Sequence, residues 1–219
     1  MLECAIIITG LLCPDFIPRL IESYKNIKYK ILSTWVDQDK DLVRQLEECG
    51  FIIVLSEDPV HRTSVNFQNI TATAGIARAE KDGYKYVFQT RTDIFPSDIQ
   101  KFLECTKDLY MKKIMVLNGI ETTIVYYTDQ LFAGSIQELR RLRSPLQQPG
   151  DGRCPELFLI ETYSNKNTMT RDDIKSTFAF CADRCRQFDI EFIWHRNWEN
   201  TDKWVHMIKK RFTAPIFFD

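Results

Sequence analysis

The chain has 219 residues, 44% hydrophobic and 12% aromatic, enough apolar mass to bury a full core in one domain. Twenty-nine Lys and Arg stand against thirty Asp and Glu, so no net basic field gathers nucleic acid, and any bound anion must be held locally. The N-terminal "MLECAIIITGLLCPDF" is too short in its apolar run for a spanning helix and lacks a basic region and cleavage site, so a cytoplasmic protein with no transmembrane segment is expected.

Strand and helix signals alternate over the first two thirds, the pattern of a mostly parallel sheet covered by helices. "CAIIITG" is a β-branched run closed by Gly10, as in a strand buried on both faces. A helix "PDFIPRLIESYKNI", a strand "YKILSTWV", a helix "DKDLVRQLEECG" with Gly50 at its C-terminal cap, and a strand "FIIVLSE" follow. The stretch from Asn66 to Asp82 reads as a long helix that Asn66 can N-cap, and Gly83 separates it from the strand "YKYVFQTR". Next come a helix "PSDIQKFLECTKDLY", a strand "KIMVLN", a strand and turn "TTIVYYTDQLFAGS", and a Pro/Gly-rich loop from Arg143 to Glu156. "PELFLIETYSN" and "RDDIKSTFAFCADRCRQF" read as helices and "DIEFIWH" as a closing strand. With no repeat and no clean linker, residues 1–219 are expected to form one domain.

Seven cysteines, an odd number set mostly in apolar or helical contexts, suit free thiols in a reducing compartment. Cys181 and Cys185 have helical i, i+4 spacing and read as buried thiols or as half of a metal site.

In open α/β sheets ligands bind beyond the carboxyl ends of the strands. The residues there are Thr9 and Gly10, Ser33 to Asp37, Ser56 to Asp58, Arg91 to Asp93, and Asp129 with Gln130. A carboxylate at such an edge can hold a divalent cation, and an Arg beside it can grip phosphate oxygens in a bidentate manner. Alternatively, Asp93 caps a turn before Pro96 and pairs with a neighbouring Arg. No GxGxxG, GxxxxGK[ST] or GxSxG is present, which argues against the usual dinucleotide fold, a P-loop and a nucleophile elbow.

The ordered blocks "ILSTWVDQD", "NFQNITATAGIARAEKDGYKYVFQTRTDIFP" and "TDQLFAGS" resemble those of the WavE-like lipopolysaccharide-synthesis family, read as glycosyltransferases of GT-A type in bacteria and large DNA viruses. The resemblance covers about Ile31 to Ser135 and implies a GT-A-like α/β fold, with a Rossmann-like, mostly parallel central sheet flanked by helices. It implies a nucleotide-binding half over residues 1–100 and an acceptor half with C-terminal helices over 101–219, a UDP- or GDP-sugar donor, a glycan or polysaccharide acceptor, and a DxD-like site at Arg91-Thr92-Asp93. Asp93 would then bind Mn²⁺ or Mg²⁺, although Arg91 stands where the first carboxylate of DxD belongs. Thr9, Gly10, Trp35 and Asp37 would line the nucleoside pocket, with Trp35 stacking on the base or packing as a core aromatic. Asn66 would face the donor, and Arg78 would reach a phosphate or lie on a solvated helix face. Asp129 would be the general base of an inverting reaction, with Asp151 and Glu156 as second choices and Gly134 letting the backbone pass close to the sugar. His195 would complete the metal site or be structural, and the basic amphipathic segment around His206 would meet an anionic partner or pack as a helix. A GT-A-like module that binds glycan or protein without catalysis, and a nucleotidyltransferase on a similar sheet, are the alternative readings.

Overall fold

A computed structural model of the protein describes residues 4–60, 63–121, 124–153, 155–166 and 171–194. Strand β1 (Cys4–Thr9) is buried at all six positions, as its unbroken apolar run requires of a central strand. A 3-10 turn (Pro14–Phe16) leads into α1 (Ile17–Tyr24), which buries Ile17, Leu20 and Tyr24 at helical spacing. β2 (Lys30–Trp35) is again wholly buried. α2 (Lys40–Glu48) starts at Asp39, whose side chain accepts from the backbone N–H of Asp41 and Leu42, and ends at Gly50 with φ +81°. β3 (Ile52–Ser56) is only half buried, as suits an edge strand.

Helix α3 (Ser64–Lys81) is capped by Thr63, whose side chain accepts from the N–H of Asn66 at 3.1 Å. Asn66 is therefore the donor at the cap and not the cap residue. β4 (Tyr86–Arg91) and the short β5 (Ile94–Pro96) follow, then α4 (Ile99–Cys105) and α5 (Lys107–Tyr110). The sequence read the last two as one helix. They break at Thr106, which sits outside the α region at ψ 3° and donates its hydroxyl to the Phe102 carbonyl at 2.7 Å. β6 (Ile114–Glu121) and β7 (Ile124–Ser135) make a long antiparallel pair, and α6 (Ile136–Arg143) and α7 (Pro155–Ser164) pack behind it. "RDDIKSTFAFCADRCRQF" is not one helix but α8 (Arg171–Thr177), strand β8 (Phe178–Phe180) and α9 (Ala182–Gln187), because Phe178-Ala-Phe180 adds to the sheet beside β6. Cys181, buried ahead of α9, donates its thiol to the Val116 carbonyl, and burial pushes that thiol well above its usual pKa. Cys181 and Cys185 are free, buried thiols, and among the described residues no group of three or more His, Cys, Asp and Glu could hold a metal. β9 (Phe192–Trp194) pairs antiparallel with β5.

Among the described residues the main sheet runs β3-β2-β1-β4-β7-β6-β8, with β3, β2, β1 and β4 mutually parallel and β7 antiparallel to both β4 and β6. Alternation along β1 splits the core in two. Ile6 and Ile8 face α1, α4 and Phe192, whereas Ala5 and Ile7 face α3, with Val87 and Leu139 on the same side. Each fully buried Ile contributes about 1.5–3 kcal/mol. No described helix is long and apolar enough to cross a membrane.

Helix and sheet approach closely at Gly75 of α3, where a Cβ would lie 2.5 Å from Ile7 Cγ2 and 3.3 Å from Ser33 Cβ. Next to it, Ser33 donates to the Thr71 carbonyl at 2.6 Å, locking helix to sheet. Gly75→Ala should therefore lower stability by about 1–3 kcal/mol through overpacking. A urea midpoint equal to that of the parent protein would contradict this packing.

Candidate active site at the carboxyl ends of β1 and β4

The order of the strands dictates where a crevice forms. From β1 the chain winds outward through β2 to β3, then returns to place β4 on the other side of β1, so the switch point lies between the carboxyl ends of β1 and β4. Thr9 and Arg91 are register partners there. Beyond them the two chains are tied together: Thr92 N donates to the Thr9 carbonyl at 2.9 Å and Thr92 Oγ1 to the Leu11 carbonyl at 2.7 Å. Gly10 makes this possible, with φ +131° and a hypothetical Cβ only 2.7 Å from Thr92 Oγ1. Thr34 Oγ1 donates to the Gly10 carbonyl at 2.7 Å, and Leu12 N donates to Gln38 Oε1 at 2.7 Å, which adds the exit of β2 to the same frame.

On this frame Arg91 and Asp93 form a fork, Nε to Oδ1 at 2.9 Å and Nη2 to Oδ2 at 2.7 Å. The Arg91 side chain is 27% exposed and that of Asp93 14%. Both oxygens of the carboxylate expected to ligate Mn²⁺ or Mg²⁺ thus accept from a guanidinium, and among the described residues no other carboxylate, His or Cys completes a set of three around it. Such a donor set does not fit a divalent ion, because the ion would meet a fixed positive charge at the oxygens it needs. His195, the other expected ligand, lies outside the described residues, as do His61 and His206. β9, which ends at Trp194, pairs that residue with Ile94, next in sequence to Asp93.

The remaining residues expected at the site divide. Thr9 is 2% exposed and turns its hydroxyl into the core, donating to the Thr90 carbonyl and accepting from Gln89 Nε2, so it builds the frame instead of lining a pocket. Trp35, also 2% exposed, packs edge-to-face against Phe67 with centroids 5.0 Å apart, the core-aromatic alternative. Asp37 is exposed in the turn after β2, at the crevice edge. Arg78 does not join it: α3 runs back along the sheet, and Arg78 lies in its last turn, paired with Asp82 at 2.8 Å, while Asp82 also accepts from Tyr29. Twelve residues of helix, about 18 Å, separate Arg78 from Asn66 at the crevice end. Gly134 pairs with Val87 near the start of β4, away from the crevice, and it has only ordinary contacts around it.

Asp129 belongs to β7, which continues from the Gln89–Phe132 pairing towards the carboxyl end of β4. Between the pairs Val116–Phe132 and Asn118–Tyr127 a single residue, Leu117, faces the four residues Thr128 to Leu131, so Asp129 lies within an irregularity of the ladder. The Asp129 and Glu156 side chains lie outside what is described.

The "NFQN" block serves a different purpose from the one its sequence suggested. Asn66, 2% exposed, donates Nδ2 to the Gln147 carbonyl at 3.1 Å and accepts the Gln147 N–H at 2.7 Å, while Asn69 Nδ2 donates to the Pro145 carbonyl at 2.7 Å. Both amides clamp the loop after α6. Beneath them Arg143, fully buried, donates to Gln89 Oε1 through Nε and Nη2 and to Asn69 Oδ1 through Nη1, with its guanidinium 4.4 Å from the Phe132 ring centroid. Sequence reading missed Gln89 and Arg143. The available signal was Gln89 itself, a large polar side chain inside the apolar run "YVFQT". In the loop, Asp151 accepts from the Arg153 guanidinium and backbone N–H, which hold its carboxyl well down, to about 2. A general base works best with a pKa near the operating pH, and Asp151, held low by Arg153, is a weaker base than an ordinary carboxylate.

No protein-family model matches the sequence, and no curated protein matches it. Solved structures do resemble the fold. One described as a glucose-1-phosphate thymidylyltransferase from Bacillus anthracis, in complex with sucrose, superposes with TM-score 0.52 at 11% identity, over 99% of this chain and 96% of its own. A glycosyltransferase involved in the glycosylation of the major capsid of PBCV-1 superposes with TM-score 0.51 at 11% identity, over 94% of this chain and 100% of its own. At that identity the likeness is one of fold, and it agrees with the GT-A-like, mostly parallel sheet expected from the sequence.

Two outcomes follow for the loop. Asn66→Ala should cost about 1–3 kcal/mol by stranding the buried Gln147 groups, and should open the 144–153 segment to limited proteolysis. An NMR titration of the Asp151 carboxyl should show a midpoint near 2, its pairing intact above the ordinary value of 3.8 and lost only as pH falls through the lowered one. A midpoint at or above 4 would make Asp151 as good a base as an ordinary carboxylate.

Proposed function

We propose that the protein is a glycosyltransferase of the WavE-like kind, which takes a UDP- or GDP-sugar at the crevice between β1 and β4 and transfers the sugar to a glycan acceptor. One observation carries the reading: "RTD" ends the central strand at the switch point of a GT-A-like sheet, tied through Thr92 to the carbonyls of Thr9 and Leu11 at the end of β1. The first half of the chain, residues 1–100, supplies the donor side and the second half the acceptor side. Gly10 and Asp37 border the nucleoside, Trp35 backs that wall, Arg91 and Asp93 face the diphosphate, and Asp129 stands at the acceptor side.

In the inverting form of the reaction the acceptor oxygen bonds to the anomeric carbon. The bond from that carbon to the diphosphate oxygen breaks, and its electron pair leaves with the nucleoside diphosphate. The acceptor proton passes to the Asp129 carboxylate.

A nucleotidyltransferase reading draws on the thymidylyltransferase-like fold but wants a Gly-rich loop bearing Lys or Arg after β1. The segment Gly10-Leu-Leu-Cys13 leading into the Pro14–Phe16 turn has neither. The non-catalytic module remains the contrasting class, motivated by Arg91 at the first position of the motif.

A thermal-shift and hydrolysis screen against UDP-, GDP- and CMP-sugars should single out one donor. Asp129→Asn should then lower kcat by about a hundredfold or more with the donor KM unchanged. Folded protein that neither shifts with nor hydrolyses any donor, with or without Mn²⁺, would overturn the enzyme reading in favour of the binding module.

A further inference from the structure

We infer that the guanidinium of Arg91 is itself the cation that receives the donor's diphosphate, with Asp93 as its positioning residue and not a metal ligand, so that donor binding is independent of divalent ions. The inference rests on the donor reading above and deepens it.

Three features of the fork support it. First, its backbone is fixed. Thr92, between the two residues, spends its N–H on Thr9 and its hydroxyl on Leu11, so the turn that presents Arg91 and Asp93 is held by β1. An Arg normally loses much rotamer freedom when it binds an anion. Here the bidentate bonds through Nε and Nη2 have already set the plane of the guanidinium, and that cost falls in folding instead of binding.

Second, the cation is the more exposed member of the pair, at 27% against 14% for Asp93, so solvent reaches more of the guanidinium than of the carboxylate. A carboxylate bonded through Nε and Nη2 fixes the orientation of the guanidinium.

Third, the surroundings require a local cation. The turns after β2 and β3 carry Asp37, Asp39, Glu57 and Asp58, all exposed, and the whole chain is balanced in charge. A diphosphate arriving at this edge meets a negative rim, and Arg91 at the switch point is the group placed to offset it. A planar fork of N–H donors also matches two phosphate oxygens at once, which a lysine would not.

The test is calorimetric titration of the 219-residue protein with UDP, GDP and the bare nucleosides uridine and guanosine, in EDTA and again in Mn²⁺, with Mn²⁺ alone as a control. Arg91→Lys and Asp93→Asn are compared with the parent after circular dichroism and melting confirm that they fold. The expected result is that one nucleoside diphosphate binds in EDTA and gains nothing from Mn²⁺. Arg91→Lys should weaken it about tenfold to a hundredfold while leaving the nucleoside unchanged. Asp93→Asn should weaken the diphosphate in the same selective way, since a merely structural defect would weaken nucleoside and nucleotide together. Binding that appears only with Mn²⁺, Mn²⁺ alone bound by the parent and lost in Asp93→Asn, or an Arg91→Lys variant with parental affinity would each overturn the inference and leave the donor reading standing. Absence of any nucleotide binding by folded parent protein, in either condition, would overturn the donor reading and this inference with it.

Discussion

Much of the architecture depends on one backbone hydrogen bond, from the N–H of Thr92 to the carbonyl of Thr9. A parallel pair of strands usually diverges at its carboxyl ends, and that divergence makes the crevice of an open α/β sheet. Here β1 and β4 stay joined for one residue beyond their ladder. The tie holds only because Gly10 turns where a side chain would strike Thr92 Oγ1. The crevice therefore begins at a defined depth, with Leu11 on one lip and the Arg91–Asp93 fork on the other. The exit of β2 enters the same arrangement through Thr34 and Gln38, so the edge behaves as a frame and not as three independent loops.

A second constraint runs under α3. Burying a guanidinium is expensive unless its hydrogen bonds are made, and Arg143 makes them with Gln89 and Asn69 while lying over Phe132. Gln89 passes the connection to Thr9, at the root of the crevice. Thus the end of α6, the middle of β4 and the end of β1 share one polar network inside the apolar layer between α3 and the sheet. Networks of this kind fix the relative placement of the elements they join, because partial disruption leaves buried groups unpaired.

Much of this could be read from the residues. The continuous apolar runs of β1 and β2, the glycine at the end of α2 and the long helical stretch of α3 pointed to the alternating order and the mostly parallel sheet, and strand-end logic singled out Arg91 and Asp93. Where the reading failed, tertiary contacts had overruled local pattern. Phe178-Ala-Phe180 looked like helix interior, yet an open sheet edge beside β6 drew it into a strand. Arg78 looked like a phosphate ligand because a sequence does not show which end of a long helix returns to the crevice. Asn66 looked like a donor contact because an amide side chain bonds equally well to a ligand and to a backbone some eighty residues away, and only the fold brings Gln147 to it.

The clamp on the loop after α6 bears on how such a protein can diversify. Surface loops usually absorb insertions freely. This one is gripped at alternate residues, Pro145 by Asn69 and Gln147 by Asn66, and Gln147 reaches forward with its own amide to the carbonyls of Asp151 and Arg153. An extra residue placed before Gln147 would pull one anchor out of register with α3 and disturb the helix that backs Trp35 through Phe67. Length can change at low cost only within Gln148 to Gly150, the exposed tip between the anchors. Relatives of this chain would thus vary the loop by growing that tip outward, while its base keeps its length.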